Sequence, residues 1–269
     1  MTFHTHSLRW EPASGTPDQK QGFYLLHGTG EHAARYEHLA NRLTDAGFRV
    51  GAHDHPGHGE SDGKRGVIDP AGALVTQAAI QIQRFAAETG CAPVLFGHSL
   101  GGVVASELVL EHGLSVAGLI LSAPAFVVRI RKRDRLKVNL LARIVPTFAI
   151  ERAYDASRLT HNELIGQQAA VDPLNHGFRS AGLVNWLINS GERQLNNASK
   201  LSVDTLLLIA GADPVVDSAR TQEFAALAPA DKVTTRYYDD YLHEILNETP
   251  ERSARAFDDI ENWVVERFA

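Results

Sequence analysis

A single cysteine, Cys91, stands in 269 residues, so no intrachain disulfide is available and rigidity has to come from packing. Positive charge is also in short supply: 26 basic residues against 32 acidic ones give a net charge of −6. No overall field is left to draw in nucleic acid or an anionic membrane. Long hydrophobic runs are missing as well. The most apolar stretch, VAGLILSAPAFVV (116–128), is too short and too interrupted to span a bilayer, and MTFHTHSLRWEP has neither the basic nor the apolar part of a secretory leader. These absences lead us to expect a cytoplasmic chain with no transmembrane segment and no nucleic-acid partner. Cys91, just ahead of an apolar run, reads as a packing residue.

A hydrophobic content of 44% in 269 residues suits one α/β domain carrying an insertion. Short runs dense in apolar and β-prone residues at 22–28, 47–54, 92–98, 116–123 and 204–212 read as buried strands. Helical patterns at 35–46, 70–89 and 100–112 fill three of the gaps, the last with Gly113 as a left-handed cap. Strand and helix in alternation predict a doubly wound, mostly parallel sheet. A further strand at 232–240 and an amphipathic helix at 250–268, with Pro250 in its first turn, close the chain.

The gap from about residue 124 to 200 is too long for a simple crossover and holds helical patterns of its own at 138–150 and 181–191. We therefore expect a core of residues 1–124 and 201–269 and a helical cap of residues 125–200. The segment AGLVNWLIN (181–189) is apolar nearly all round, as suits a helix packed on one side and facing a pocket or a partner on the other, or equally an ordinary buried helix.

One motif carries chemistry. In VLFGHSLGGVV (94–104) Ser99 lies between Gly97 and Gly101, a pattern that chance supplies in on the order of one such chain in ten. Its setting is more specific, with a strand before and an amphipathic helix after, as a nucleophile elbow requires. The turn is expected to lift the hydroxyl above the sheet edge, the glycines letting backbone pass close by.

A serine needs a general base and an orienting acid, which this architecture supplies in the chain order Ser, Asp, His. Of the four histidines after Ser99, only His243 follows the last strand run that could present an acid. That strand ends at about Ala210, and Asp213 in the loop that follows it is the expected acid. Its rival Asp217 sits at the start of a helix, where capping explains it. For the oxyanion, the amide of Leu100 and that of Thr29, in a loop loosened by Gly28 and Gly30, are the expected donors.

HGTGEHAARY (27–36), DHPGHGESDGKRG (54–66), GHSLGG (97–102), DPLNHG (172–177), GADPVVD (211–217) and YLHEILNE (241–248) occur in this order along nearly the whole chain. Together they resemble the α/β-hydrolase superfamily, and within it the monoacylglycerol lipase and lysophospholipase branch of serine aminopeptidase S33-type hydrolases. The resemblance implies carboxylic ester hydrolysis with Ser99, Asp213 and His243 as the triad, no cofactor, and a small ester with an acyl chain as substrate. Residues 125–171 match no pattern of the branch. Lysophospholipase or broad carboxylesterase activity stands as the alternative, and a non-catalytic binding protein on the same fold as the reading of a different class. Retention of every catalytic part argues against the last.

Other groups read more plainly. His53, His55 and His58, beside Asp54, have spacings that a zinc site could use but equally fit a turn after a strand, and we expect structure and no metal. His98 is expected to bond locally. The run RIRKRDRLK (129–137) holds six basic residues and one acid; it reads as a solvated helix face, the other reading being attraction to anionic interfaces or phosphate-bearing substrates. Leu140, Leu141, Ile144, Val145 and Phe148 are expected to be core before acyl tunnel. Arg65 and Glu244 are expected to form ion pairs near the site.

Overall fold

A computed structural model describes residues 4–14, 21–70, 72–152 and 155–268. The strands are β1 (Ser7–Trp10), β2 (Gly22–Leu26), β3 (Arg49–His53), β4 (Val94–His98), β5 (Gly118–Ser122), β6 (Ala149–Glu151), β7 (Phe178–Ser180), β8 (Thr205–Ala210) and β9 (Val233–Tyr238). The helices are α1 (Glu37–Asp45), α2 (Ala73–Thr89), α3 (Leu100–Leu110), α4 (Lys132–Ile144), α5 (Glu163–Val171), α6 (Ala181–Asn196), α7 (Ser218–Leu227) and α8 (Pro250–Phe268).

Seven strands form one sheet in the order β1-β3-β2-β4-β5-β8-β9, with β1 antiparallel to β3 and every other pairing parallel. The chain winds outward from β2 to β3, then returns past it to β4 and on to β9. This is the doubly wound α/β-hydrolase arrangement. Loops after β2 and β4 emerge side by side where the winding reverses, the place at which open parallel sheets build their sites.

The continuous apolar runs serve both faces because successive side chains in a strand point opposite ways. Phe23, Leu25, Val94, Phe96, Ile120, Leu206 and Leu208 pack with α1 and α8. Tyr24, Leu26, Leu95, Leu119, Leu121, Leu207 and Ile209 pack with α2, α3, α6 and α7 on the other side. Helix α3 is buried over nearly its whole length, and Gly113 adopts the expected left-handed conformation at φ +60° just beyond it.

β5 and β8 are neighbours in the sheet, so residues 123–204 leave and return at adjacent strands. Within them run α4, α5 and α6 and a short antiparallel pair of β6 and β7, three residues a strand, with α5 in the connection between the two. The helix expected at 138–150 is displaced: it spans Lys132–Ile144 and stops ahead of Pro146, whose ring forbids continuation, and Phe148 leads into β6. No residue of α4 is buried. Leu140, Ile144, Val145 and Phe148 are exposed, so the core packing expected of this face is not what the fold makes of it; a helix standing on the rim has solvent on most sides.

Helix α6 is bolted to α3 by charge. Ser190 Oγ donates to Glu107, Arg193 reaches Glu107 and Glu111, and Gln194 donates to Glu111 at 2.6 Å. Helix α4 is held in turn by a forked bond from Arg135 to Glu192 at 2.5 and 2.7 Å. Segment 172–177 is sewn to the loop after β2: His32 Nε2 meets Asp172 Oδ2 at 2.8 Å, and the His176 amide donates to the Gly30 carbonyl at 2.8 Å. Among the described residues no helix is long and apolar enough to cross a membrane.

Candidate active site

Ser99 occupies the turn between β4 and α3 at φ 52° and ψ −112°, a conformation that costs a non-glycine residue on the order of 1–3 kcal/mol and persists only when the surroundings enforce it. They do so here through the Ser99 amide, which donates to the Ser122 carbonyl at 3.1 Å, and the Ser99 carbonyl, which accepts from Ala125 at 3.1 Å. Crowding explains the flanking glycines. A Cβ on Gly97 would stand 2.5 Å from the Gly101 carbonyl oxygen, and one on Gly101 would collide with the Leu26 carbonyl.

Side chains from three loops converge on this turn. Ser99 Oγ lies 2.9 Å from His243 Nε2, and His243 Nδ1 lies 2.7 Å from Asp213 Oδ2. The other Asp213 oxygen accepts the amides of Val215 at 2.7 Å and Val216 at 2.9 Å, which fixes the carboxylate. Asp217 sits elsewhere, capping α7 by accepting from Ala219. Of the two aspartates weighed from the sequence, Asp213 is the one beside His243.

The electrostatics suit proton transfer. Burial works against charge on His243, but the facing Asp213 carboxylate and its hydrogen bond, helped by Glu244 and Glu31, leave the imidazole above its ordinary value. Burial opposes the charge of Asp213 too, and His243 together with the two amides outweighs it, holding the carboxyl below its usual range. His98 bonds locally, as expected, its Nδ1 3.1 Å from the Ser122 carbonyl. Burial and the neighbouring His243 push it down to about 4.

Leu100 opens α3, so its amide belongs to the first-turn donors that no helical carbonyl can reach. Thr29 lines the same cavity as Ser99 and His243. Gly30 takes φ +81°, and a Cβ there would strike the His176 carbonyl. The Gly28 amide is engaged by Glu31 Oε1 at 2.5 Å, which anchors the loop.

That anchor belongs to a buried network to which the sequence reading gave no role apart from Glu244. Glu31 also accepts from Tyr36 Oη at 2.7 Å and from Arg35 at 2.5 Å. Arg35 spans to both oxygens of Glu244, at 3.0 and 2.7 Å. Burial alone would raise the Glu31 carboxyl, yet Arg35 and His98 bring it below its usual value. The motif spacing in HGTGEHAARY held the signal: Glu31 and Arg35 are four apart on one turn of chain. Glu244 forms its expected ion pair; Arg65 instead donates to the backbone carbonyl of Gly59.

The histidines at 53, 55 and 58 pack against one another and His27, with ring centroids 4.4 Å apart for His27 and His55 and 5.0 Å for His53 and His55. Burial pushes all four well down, His27 to about 3. Among the described residues no cluster of three or more histidine, cysteine or carboxylate side chains is disposed to hold a metal ion.

Above Ser99 opens a cavity of about 470 Å³. Its apolar wall comes from Val128, Val138, Leu141, Leu183, Val184 and Leu187, so the apolar segment of α6 does face a pocket. That volume lies within the range of small-ligand sites.

Similarity to known proteins extends over nearly the whole chain. A family model described as serine aminopeptidase, S33, matches residues 17–250. The chain is 31% identical to human monoglyceride lipase over 266 residues, covering 97% of this chain and 86% of that one. It is 27% identical to the monoacylglycerol lipase of Mycolicibacterium smegmatis over 95% of this chain and 91% of the relative. The crystal structure of Paleococcus ferrophilus monoacylglycerol lipase superposes with a TM-score of 0.88 at 27% identity, over 98% of this chain and 99% of that one.

Proposed function

The chain belongs to the serine aminopeptidase S33 family of α/β-hydrolases, and from that footing we propose that it cleaves carboxylic esters of single-chain lipids, monoacylglycerols first, through an acyl-enzyme on Ser99. The observation that carries the reading is the unbroken contact from Ser99 Oγ to His243 to Asp213 at the foot of an apolar cavity.

In this reading His243 Nε2 accepts the Ser99 proton as Oγ attacks the ester carbonyl. Nδ1–H donates to Asp213, which fixes the tautomer and stabilises the cation. The amides of Thr29 and Leu100 receive the oxyanion. Collapse breaks the acyl–oxygen bond, and the alcohol leaves with the proton from His243. Water then adds to the acyl-enzyme by the same relay, releasing the acid and restoring the Ser99 hydroxyl.

Residues 125–200 serve as the cap in this proposal, supplying the acyl-chain wall through α4 and α6. The exposed Leu136, Leu140 and Ile144 suit transient contact with a lipid surface, and a cytoplasmic setting is part of the same proposal. An ester is favoured over a peptide with a free amine, since the cavity's carboxylates are few and engaged: Asp134 by Arg131, Glu31 and Glu244 by Arg35, and Asp155 by the Ser157 hydroxyl.

A hydrolysis panel of glyceryl, lysophosphatidyl and p-nitrophenyl esters over several acyl lengths, with Ser99→Ala beside it, tests the proposal. Ser99→Ala is expected to lose about 10⁴- to 10⁶-fold in kcat and all labelling by a fluorophosphonate probe. Labelling that persists in the variant would rule out Ser99 as nucleophile; absence of both labelling and turnover in the parent protein would favour a binding protein.

A further inference from the structure

We propose that Arg129 is a positioning residue for the triad: its side chain holds the loop that carries Asp213, so that the insertion between β5 and β8 sets the alignment of acid and base as well as walling the cavity. The proposal rests on the esterase reading above and deepens it.

In the loop 213–216 the amides of Val215 and Val216 are taken by the Asp213 carboxylate itself. Its carbonyls have no ladder to join, and those of the buried Asp213 and Val216 need partners from elsewhere. All four carbonyls meet donors from the insertion. Arg129 Nε donates to Asp213 at 3.2 Å and to Val216 at 3.1 Å, the Arg129 amide donates to Val215 at 2.8 Å, and Arg158 donates to Pro214 at 3.3 Å. Val128 and Val216 form an antiparallel bridge, and the Asp217 amide donates to the Val127 carbonyl at 2.8 Å. Residues 127–129 thus lie along the acid loop like one more strand.

The segment after Arg158 reaches the loop of the base. The Leu159 carbonyl accepts the amide of Glu244, the residue after His243, at 2.8 Å. Thr160 Oγ1 donates to the Asn247 carbonyl at 2.6 Å. The His161 amide donates to one oxygen of Glu248 at 3.1 Å, and the other oxygen accepts from Leu242, the residue before His243, at 2.8 Å. Both neighbours of His243 are therefore tied to the segment that meets Pro214.

Among these contacts the Arg129 side chain bears most directly on the acid. One N–H bridges the first and last carbonyls of the loop, while Asp213 Oδ1 gathers the amides inside it. Nη2 lies 3.9 Å from Asp217, which keeps the guanidinium in place. Lysine would carry a methylene where arginine carries Nε, so it would keep the charge and lose the donor. His243 faces Asp213, Glu244, Glu31 and the ring of His98, 4.8 Å away between centroids. Of these only Asp213 sits on the loop that Arg129 holds, and loosening it withdraws support for the imidazolium.

The test follows p-nitrophenyl acetate and p-nitrophenyl decanoate hydrolysis from about pH 5 to 9 in the parent protein, Arg129→Met and Arg129→Lys, with active sites counted by a fluorophosphonate probe. In both variants kcat is expected to fall about tenfold, by the same factor on both esters, with KM nearly unchanged. The pH limb of kcat/KM is expected to move toward acid. Parent-like kcat in Arg129→Lys would assign the effect to charge and overturn the proposal. A loss confined to KM or to the decanoate also overturns it, making Arg129, which lines the cavity, a substrate contact instead. So does a fall in kcat with the limb unmoved, which marks general structural damage. KM and the position of the limb do not depend on how much protein is active, so they remain readable in a variant that folds in part. An active parent with unaltered variants removes this proposal alone; a parent that cleaves neither ester removes the esterase reading and this proposal with it.

Discussion

Arg35 grips Glu244, the residue next in the chain after His243, through both terminal guanidinium nitrogens at 3.0 and 2.7 Å. The same side chain holds Glu31, whose other oxygen fixes the Gly28 amide. One cation therefore joins the loop after β2 to the loop that carries the proposed base. Arg35→Met strands two buried carboxylates, an outcome expected to cost about 3–5 kcal/mol. Denaturant melts together with kcat for Arg35→Met and Arg35→Lys check this. A stable, fully active Arg35→Met protein would show that the link is dispensable.

Asp213 and Asp217 offer a paired comparison four residues apart. Asp213→Asn removes the charge that faces His243 and is expected to lower kcat about 10⁴-fold with little change in melting. Asp217→Ala removes a helix cap and is expected to lose about 1 kcal/mol of stability while turnover persists. Kinetics and melts on the two proteins separate the roles, and a reversal of the two phenotypes would exchange the assignments.

The pH profile follows from the raised value of His243. The working base is the neutral imidazole, so kcat/KM is expected to be full above its titration and to fall as pH drops through it, with the limb lying higher than an ordinary histidine's 6.5. In Asp213→Asn the main opposition to burial is removed, leaving only Glu244 and Glu31, and the residual limb is expected to move toward acid. A limb that stays put in the variant would disconnect Asp213 from the base.

Stability has its own pH dependence. His27, held near 3 in the fold, binds no proton between about pH 6.5 and 4, whereas the unfolded chain does. Because its folded value is depressed, its contribution is intact above about pH 6.5 and erodes as pH falls, by about 2 kcal/mol at pH 5 for this residue. His53, His55 and His58 act in the same direction. Urea midpoints between pH 7.5 and 5 are expected to decline with net proton uptake on unfolding, and a flat series would contradict the buried, neutral state of these rings.

What the sequence made legible is local or ordered along the chain. Glycines two residues either side of Ser99 mark a turn whose crowding is a matter of adjacent backbone, and Asp213 and His243 follow from strand order. Glu31 and Arg35 lie within one turn of chain, but the ion pair expected of Glu244 has its partner 209 positions away, and no periodicity announces such a meeting. Strand β1 escaped for a different reason. Its four residues alternate too briefly to stand out, and pairing with β3 is what makes them a strand. The onset of α4 was hidden by the basic residues 131–133, which helix propensity tolerates but an apolar pattern does not register. The placement of Arg152 and Arg179 around one cavity depends on β6 pairing with β7 across the whole of α5, a long-range contact of three residues a strand.

The bond from the His176 amide to the Gly30 carbonyl sets a rule for anyone exchanging the insertion between β5 and β8. Both splice points fall on neighbouring strands, so a foreign insertion of another length could be grafted there without disturbing the sheet. The graft would still need to carry an amide donor at that one place, because the loop with the Thr29 amide leans on it. Because Asp172 also meets His32 and α6 is tied to α3 through Glu107 and Glu111, such a cassette has several fastenings to reproduce, of which this one bears on the Thr29 amide.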